Sequence, residues 1–209
     1  MATNPETPIV IVGRSSSHFT RVARIFAAEL DVAYALRVVP DLTSLDASVY
    51  AGNPALKIPV LQAPSGTWYG ALSICRELAR LSERSVSIVW PEALSSALPA
   101  NAQELVLHAM TSEVALIMSG QAPAGAGAAK LRASLGNSLA WLDANCEAVL
   151  AALPPRDLSY LEVTLYCLVT HLPFRQIHDV AQYTNLVRFR ERFGVRESAQ
   201  QTSFRFDAA

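Results

Sequence analysis

The chain has 209 residues, 51% of them hydrophobic and 17% charged, with a formal net charge of -1. That balance suits a protein with a real buried core and excludes an intrinsically disordered one. It also excludes the concentrated basic surface that nucleic acid or an anionic membrane would need, so neither is an expected partner.

Ile9-Val10-Ile11-Val12, ending at Gly13, reads as a short buried strand. Ser15-Ser16-Ser17 follows as a set of helix N-cap residues, and a helix is expected from about Phe19 to Leu30. Its apolar stripe is Phe19, Val22, Ala23, Phe26 and Leu30, with Arg21 and Arg24 pointing elsewhere. A second strand runs from Tyr34 to Val39 and stops at Pro40, so the first three elements form a βαβ unit with parallel strands. An irregular helical stretch covers Asp41 to Tyr50. Beyond Asn53-Pro54, Pro59-Val60-Leu61-Gln62 and Thr67-Trp68-Tyr69 read as two strands joined by a tight turn at Pro64-Ser65-Gly66. A helix from Leu72 to Ser82 completes βαβ then ββα, the order of a thioredoxin fold.

The pattern weakens from Glu83 to Pro99, and a linker is expected at 85–98 between a domain at 1–84 and an all-helical domain at 99–209. In the second domain Leu107, Met110, Val114, Ile117 and Met118 form one stripe. Leu131, Leu135, Leu139, Leu142 and Cys146 form another, and a Gly- and Ala-rich loop at Gln121–Gly127 separates the two. Ser159-Tyr160-Leu161-Glu162 reads as a capping box opening a helix that is apolar nearly all round to Leu172. The basic residues Arg188, Arg190, Arg192 and Arg196, interrupted by Glu191 and Glu197, read as a solvated face.

Cys75, Cys146 and Cys167 are odd in number, far apart and each in an apolar helical stretch, so buried free thiols are expected rather than a disulfide or zinc site. His171 and His178 are seven apart with a proline between them, which argues against shared metal ligation, and no metal is expected. No phosphate loop, GxGxxG or serine-hydrolase elbow is present. Residues Met1–Glu6 lack the basic and apolar regions of a signal peptide, and no apolar run reaches about 18 residues. A cytoplasmic location is the expectation.

Four segments then carry a resemblance. Asn53-Pro54-Ala55-Leu56-Lys57-Ile58-Pro59-Val60-Leu61 resembles the NPxGKVPxL segment of glutathione transferases, and Gly13-Arg14-Ser15-Ser16-Ser17-His18-Phe19-Thr20-Arg21 resembles the start of their first helix, often written SPFxR. Ser159-Tyr160-Leu161-Glu162 is similar to their SxAD box. Tyr183-Thr184-Asn185-Leu186, with Arg192 and Arg196-Glu197-Ser198, resembles their closing YPNL…R…RPS. The resemblance implies a thioredoxin-like α/β N-terminal domain with an all-α C-terminal bundle, glutathione as co-substrate, a small electrophile as partner and a homodimer. It further implies a cis bond before Pro59, with the backbone of Lys57-Ile58-Pro59 pairing to an extended thiol peptide as an added strand.

Ser17 is the implied thiolate stabiliser, because a hydroxyl donor and the positive end of a helix both favour the anion. The alternatives are that all three serines merely cap the helix, or that Ser15 or Ser16 takes the thiolate role. Gly70 and Ala71 stand where the family carries an acidic residue and a serine that hold the γ-glutamyl end, with Ser73 and Arg76 as neighbours. His18 is a candidate wall of the substrate pocket, otherwise a partly exposed loop residue. His108, Thr111 and Ser112 on the first long helix of the second domain share a polar face with Glu104 and are further candidates for that pocket. A conjugating transferase is the leading reading. The others are a non-catalytic interaction or dimerisation module and a related thiol-dependent isomerase, reductase or dehalogenase.

Overall fold

The computed structural model describes residues 8–119 and 126–208. Most of the loop expected at Gln121–Gly127 lies outside the described residues. The chain divides into two units: Met1–Ser85 together with Glu197–Ala209, and Val86–Arg196.

In the first unit, β1 (Val10–Gly13), α1 (His18–Glu29) and β2 (Ala35–Val38) form the βαβ crossover, and β3 (Val60–Ala63) and β4 (Gly66–Tyr69) form the hairpin before α2 (Ala71–Leu81). The sheet order is β2-β1-β3-β4. β1 and β2 are parallel, while β3 runs antiparallel to both β1 and β4. Pro64 and Ser65 make the hairpin turn, since Ala63 pairs with Gly66. The stretch before β3 is irregular, as its polar sequence implies, apart from one 3-10 turn at Ala47–Tyr50. A β-branched run such as Ile11-Val12 is stable in a strand when both faces are covered, and both residues are fully buried. Val12, Val39, Tyr50 and Val60 form a core cluster against which Leu56 and Ile58 pack.

Arg21 and Arg24 are buried, contrary to the reading that turned them away from the packed face. Arg24 Nε donates to the Tyr34 hydroxyl at 3.0 Å, and Arg21 is covered by residues 197–208. They pack on α1, and Arg21 donates to the Ala199 carbonyl at 2.9 Å while its guanidinium sits 4.3 Å above the Phe204 ring. α7 (Glu197–Gln201) therefore belongs to the α/β unit, although it follows the helical region in sequence.

The second unit is helical but not wholly so. The stretch expected as a linker contains β5 (Ile88–Val89), which pairs in parallel with β6 (Leu158–Ser159). α3 (Ala97–Met118), α4 (Ala126–Ala151), α5 (Tyr160–Phe174) and α6 (Thr184–Gly194) make up the remainder. The α4 stripe is as read, with Leu135, Leu139, Leu142 and Cys146 buried. The α3 stripe is out of phase: Val114 and Met118 are exposed, and the buried face carries Ala102, Val106, Ala109, Met110, Glu113 and Leu116. Polar residues sit on that buried face because α5 supplies partners. Gln103 donates to Thr164 Oγ1 at 3.2 Å, and Glu113 Oε1 lies 2.8 Å from His171 Nδ1.

Ser159 caps α5 by accepting from the Glu162 N–H at 3.0 Å. The other half of the capping box is not used. The Glu162 carboxylate instead takes both Nε and NH2 of Arg156, at 2.6 and 2.9 Å. Arg156 thereby ties the end of α4 to the start of α5. Asp143 of α4 caps α6 from outside, its Oδ1 accepting from the N–H groups of Asn185 and Leu186 at 2.8 and 3.0 Å. His178 lies 3.0 Å from the Tyr183 hydroxyl.

All three cysteines are buried free thiols. Burial pushes the Cys146 thiol up to about 11, and only thiolate is an effective nucleophile. The expected result is therefore no reaction of native protein with dithionitrobenzoate at pH 8, and three thiols titrated in denaturant. Prompt native reactivity would contradict this packing. None of the described helices is long and apolar enough to cross a membrane.

Candidate functional site

The register of the sheet collects the N-terminal candidate segments. Val12 pairs with Val60, and Val60 with Tyr69. The serine loop leaves β1 just beyond Val12, Ile58-Pro59 enters β3 just before Val60, and Gly70-Ala71 leaves β4 just after Tyr69. Neighbouring strands lie about 5 Å apart. All three segments consequently emerge at the same end of the sheet, on adjacent strands.

The serine loop is a tight turn in which the Ser17 N–H donates to the Arg14 carbonyl at 3.1 Å. Arg14 anchors it from outside, with Nε donating to the Val39 carbonyl at 2.6 Å and NH2 to that of Pro40. Gly13 precedes the loop because a Cβ there would run into the Thr20 side chain. Ser17 has the extended backbone of an N-cap, and its Oγ accepts from the Thr20 N–H at 3.2 Å. That bond uses an acceptor lone pair and leaves the hydroxyl hydrogen available to an anion. Ser15 and Ser16 are both buried, and Ser15 Oγ has no hydrogen-bond partner among the described residues. His18 is the first residue of α1 and only 1% exposed. It is not a partly exposed loop histidine, because the helix begins one residue earlier than its apolar stripe suggests.

The Ile58–Pro59 peptide bond is cis. The Ile58 side chain packs against the core cluster, while its N–H and C=O make no hydrogen bond among the described residues. A backbone pair left open beside a strand is what an added strand requires. The preceding turn is held by Asn53, whose Nδ2 donates to the Lys57 carbonyl at 2.8 Å and whose Oδ1 accepts from the Ala55 N–H at 3.0 Å. Lys57 itself is exposed. Leu56 holds φ +52 at the position where the resembling motif has glycine, a conformation that costs a β-carbon-bearing residue about 1 kcal/mol or more. Asn53 went unrecognised as a structural clamp, although an Asn-Pro step is a known turn former.

Gly70 precedes α2 with φ +80 and ψ 141 and offers no side-chain cap. Such a backbone is almost confined to glycine. Ala71 is buried at the first helical position, Ser73 is exposed and Arg76 half-buried. In the helical unit, His108 Nε2 lies 2.7 Å from Ser134 Oγ of α4 and 3.4 Å from Ser112 Oγ. Thr111 is exposed and donates back to the Leu107 carbonyl at 2.9 Å, whereas Ser112 is buried. The expected common polar face therefore splits, with His108 and Ser112 in a polar seam against α4.

A thioredoxin-like α/β unit with a serine turn, an open backbone beside a cis-proline and a following helical unit together match the fold of glutathione transferases. Residues 16–81 match the family described as glutathione S-transferase, N-terminal domain. Solved structures agree over nearly the whole chain. A glutathione S-transferase from Methylobacillus flagellatus, with glutathione bound, is 22% identical with a TM-score of 0.76, covering 94% of this chain and 100% of that one. One from Methylobacterium radiotolerans, in complex with glutathione sulfonate, is 19% identical at 0.74, covering 97% and 98%. A family member from Pseudomonas fluorescens, with bound glutathione, is 19% identical at 0.76, covering 94% and 99%. No curated protein matches the chain. The protein thus has the glutathione S-transferase fold, and residues 16–81 are similar to the N-terminal domain of that family.

Proposed function

We propose that this protein binds glutathione at the end of the first unit's sheet and joins it through its sulfur to small electrophiles, with Ser17 stabilising the thiolate. The observation that carries the reading is the open N–H and C=O of Ile58 beside the cis bond, one strand from the Ser17 turn in the register. An extended thiol peptide paired to Ile58 fits that edge, and the Ser17 hydroxyl and the positive end of α1 then favour its sulfur as the anion. In the reaction the thiolate attacks an electrophilic carbon, a C–S bond forms, a leaving group such as chloride departs with the bonding electrons, and the thiol proton goes to solvent. Lys57, Ser15 and Ser16 line the same two turns. His18, His108, Thr111 and Ser112 are proposed for the electrophile. A dimer and a cytoplasmic location remain part of this reading.

Gly70 and Ala71 weaken the hold on the γ-glutamyl end. The α2 N-terminus can receive its carboxylate through backbone N–H groups, but neither residue offers an acid to its ammonium. Losing one charged hydrogen bond costs about 1.5–3 kcal/mol, roughly tenfold to hundredfold in affinity. The same two residues favour the second reading, a non-catalytic interaction module. Isothermal titration with glutathione decides between them, with saturable heat expected at millimolar ligand, followed by conjugation to a chlorinated dinitroaromatic. A flat titration would overturn the glutathione reading, and binding without turnover would favour the module.

A further inference from the structure

Residues 197–208 run back along α1 from its end towards its start. Ser198 Oγ donates to Glu29 Oε1 at 2.5 Å. About two turns nearer the start, Arg21 holds the Ala199 carbonyl and lies over the Phe204 ring. At the N-terminal loop, the Ser15 N–H donates to Asp207 Oδ2 at 2.9 Å, across 192 positions of sequence. The packing of α7 thus delivers a carboxylate to the turn that carries all three candidate serines.

We propose that Asp207 is a latch on this site, the resident anion of the serine loop that opposes formation of a second anion at Ser17. The inference rests on the reading of Ser17 as the thiolate position. Ser17 is two positions on from Ser15, so their Cα atoms are within about 7.6 Å, inside the roughly 8 Å over which physiological salt screens a charge. The first turn of α1 contains no acidic residue. Of the basic groups nearby, Arg14 is bound to the Val39 and Pro40 carbonyls and lies in the field of Asp41, while Arg21 is engaged by residues 199–204. His18 opens the helix itself. Asp207 is a positioning and regulating residue acting through Ser15, and releasing it frees the loop for a thiolate.

The test places a reporter thiol in the loop by Ser17→Cys and follows its alkylation by uncharged iodoacetamide against pH, the three native thiols being buried. With Asp207→Asn or Asp207→Ser added, the reporter pKa is expected to fall by about half a unit to one unit, which is about threefold to tenfold more thiolate below that pKa. Asp207→Glu is expected to restore the parent profile. Superimposable profiles in the parent and both neutral variants would overturn the latch. So would a shift confined to a variant whose thermal midpoint also falls, because that marks a merely structural tether. The reporter needs no glutathione. If no glutathione binds to any variant while the reporter shift appears, the thiol-peptide reading fails and the latch stands. Where glutathione does bind, Asp207→Asn in the otherwise native chain is expected to bind it about threefold to tenfold more tightly, by the same charge argument.

Discussion

Ser17→Ala is expected to lower kcat/KM for glutathione conjugation by about tenfold to hundredfold, the weight of one hydrogen bond to a charged group. The same substitution removes an N-cap and is expected to cost about 1 kcal/mol of stability, or roughly 2–4 °C in the thermal midpoint for a chain of this size. The two effects separate because the Ser17 hydroxyl serves them through different atoms. Its lone pair accepts from the Thr20 N–H, whereas its hydrogen is the donor a thiolate would use. Ser17→Asp caps as well as serine does, yet offers no donor and adds a repelling charge. It should therefore keep the midpoint and lose the rate. Ser17→Thr preserves both atoms and should retain most of each. Should Ser17→Ala lower only the midpoint, the residue is a cap, and thiolate stabilisation passes to Ser15, Ser16 or no serine at all.

The sheet and hairpin were legible because their signals are local. Ile9-Val10-Ile11-Val12 has few alternatives to a buried strand, and Pro64-Ser65-Gly66 between two short apolar runs reads as a turn. The same holds for the α4 stripe, whose leucines repeat with helical spacing, and for the buried cysteines. What escaped depends on partners distant in sequence. Arg21 looks like a solvated edge of an amphipathic helix until residues 197–204 arrive on top of it, and Arg24 until Tyr34 meets its guanidinium. The α3 phase was misread for the same reason, since Gln103 and Glu113 belong on the buried face only because Thr164 and His171 meet them from α5. Periodicity counts such polar residues as solvent-facing. Glu162 was misplaced by a nearer competitor, Arg156. At the candidate site the motif around Asn53–Leu61 located the turn, but Leu56 at φ +52 shows the motif's backbone kept without its glycine. Gly70 shows the reverse, a glycine-only backbone where the motif has an acid. Asp207 had no sequence signal, being one aspartate after a phenylalanine.

The largest stability effect is expected from Glu113→Ala, at about 3–5 kcal/mol. Glu113 and His171 are both essentially inaccessible to solvent and lie 2.8 Å apart, joining α3 to α5 inside the helical unit. A carboxylate oxygen here faces a ring nitrogen, and the expected arrangement puts the hydrogen on His171 Nδ1. Removing the acid leaves a buried imidazole N–H without that acceptor and opens a void where the side chain packed, and both penalties act together. At roughly 2–4 °C per kcal/mol the thermal midpoint should drop by about 6–20 °C. Glu113→Gln keeps an acceptor of nearly the same shape and should recover much of the loss. The decisive comparison is the double variant Glu113→Leu with His171→Leu. Buried polar pairs replaced together by apolar residues of similar volume are often neutral or stabilising, so the double variant should be more stable than Glu113→Ala and close to the parent. If the double variant falls as far as the single one, the pair holds α3 and α5 in place through more than its own desolvation, and its bonds to further groups set the stability of the helical unit. If Glu113→Ala melts with the parent, the pair is solvated in solution and α3 is phased by Ala102, Val106, Ala109 and Leu116 alone.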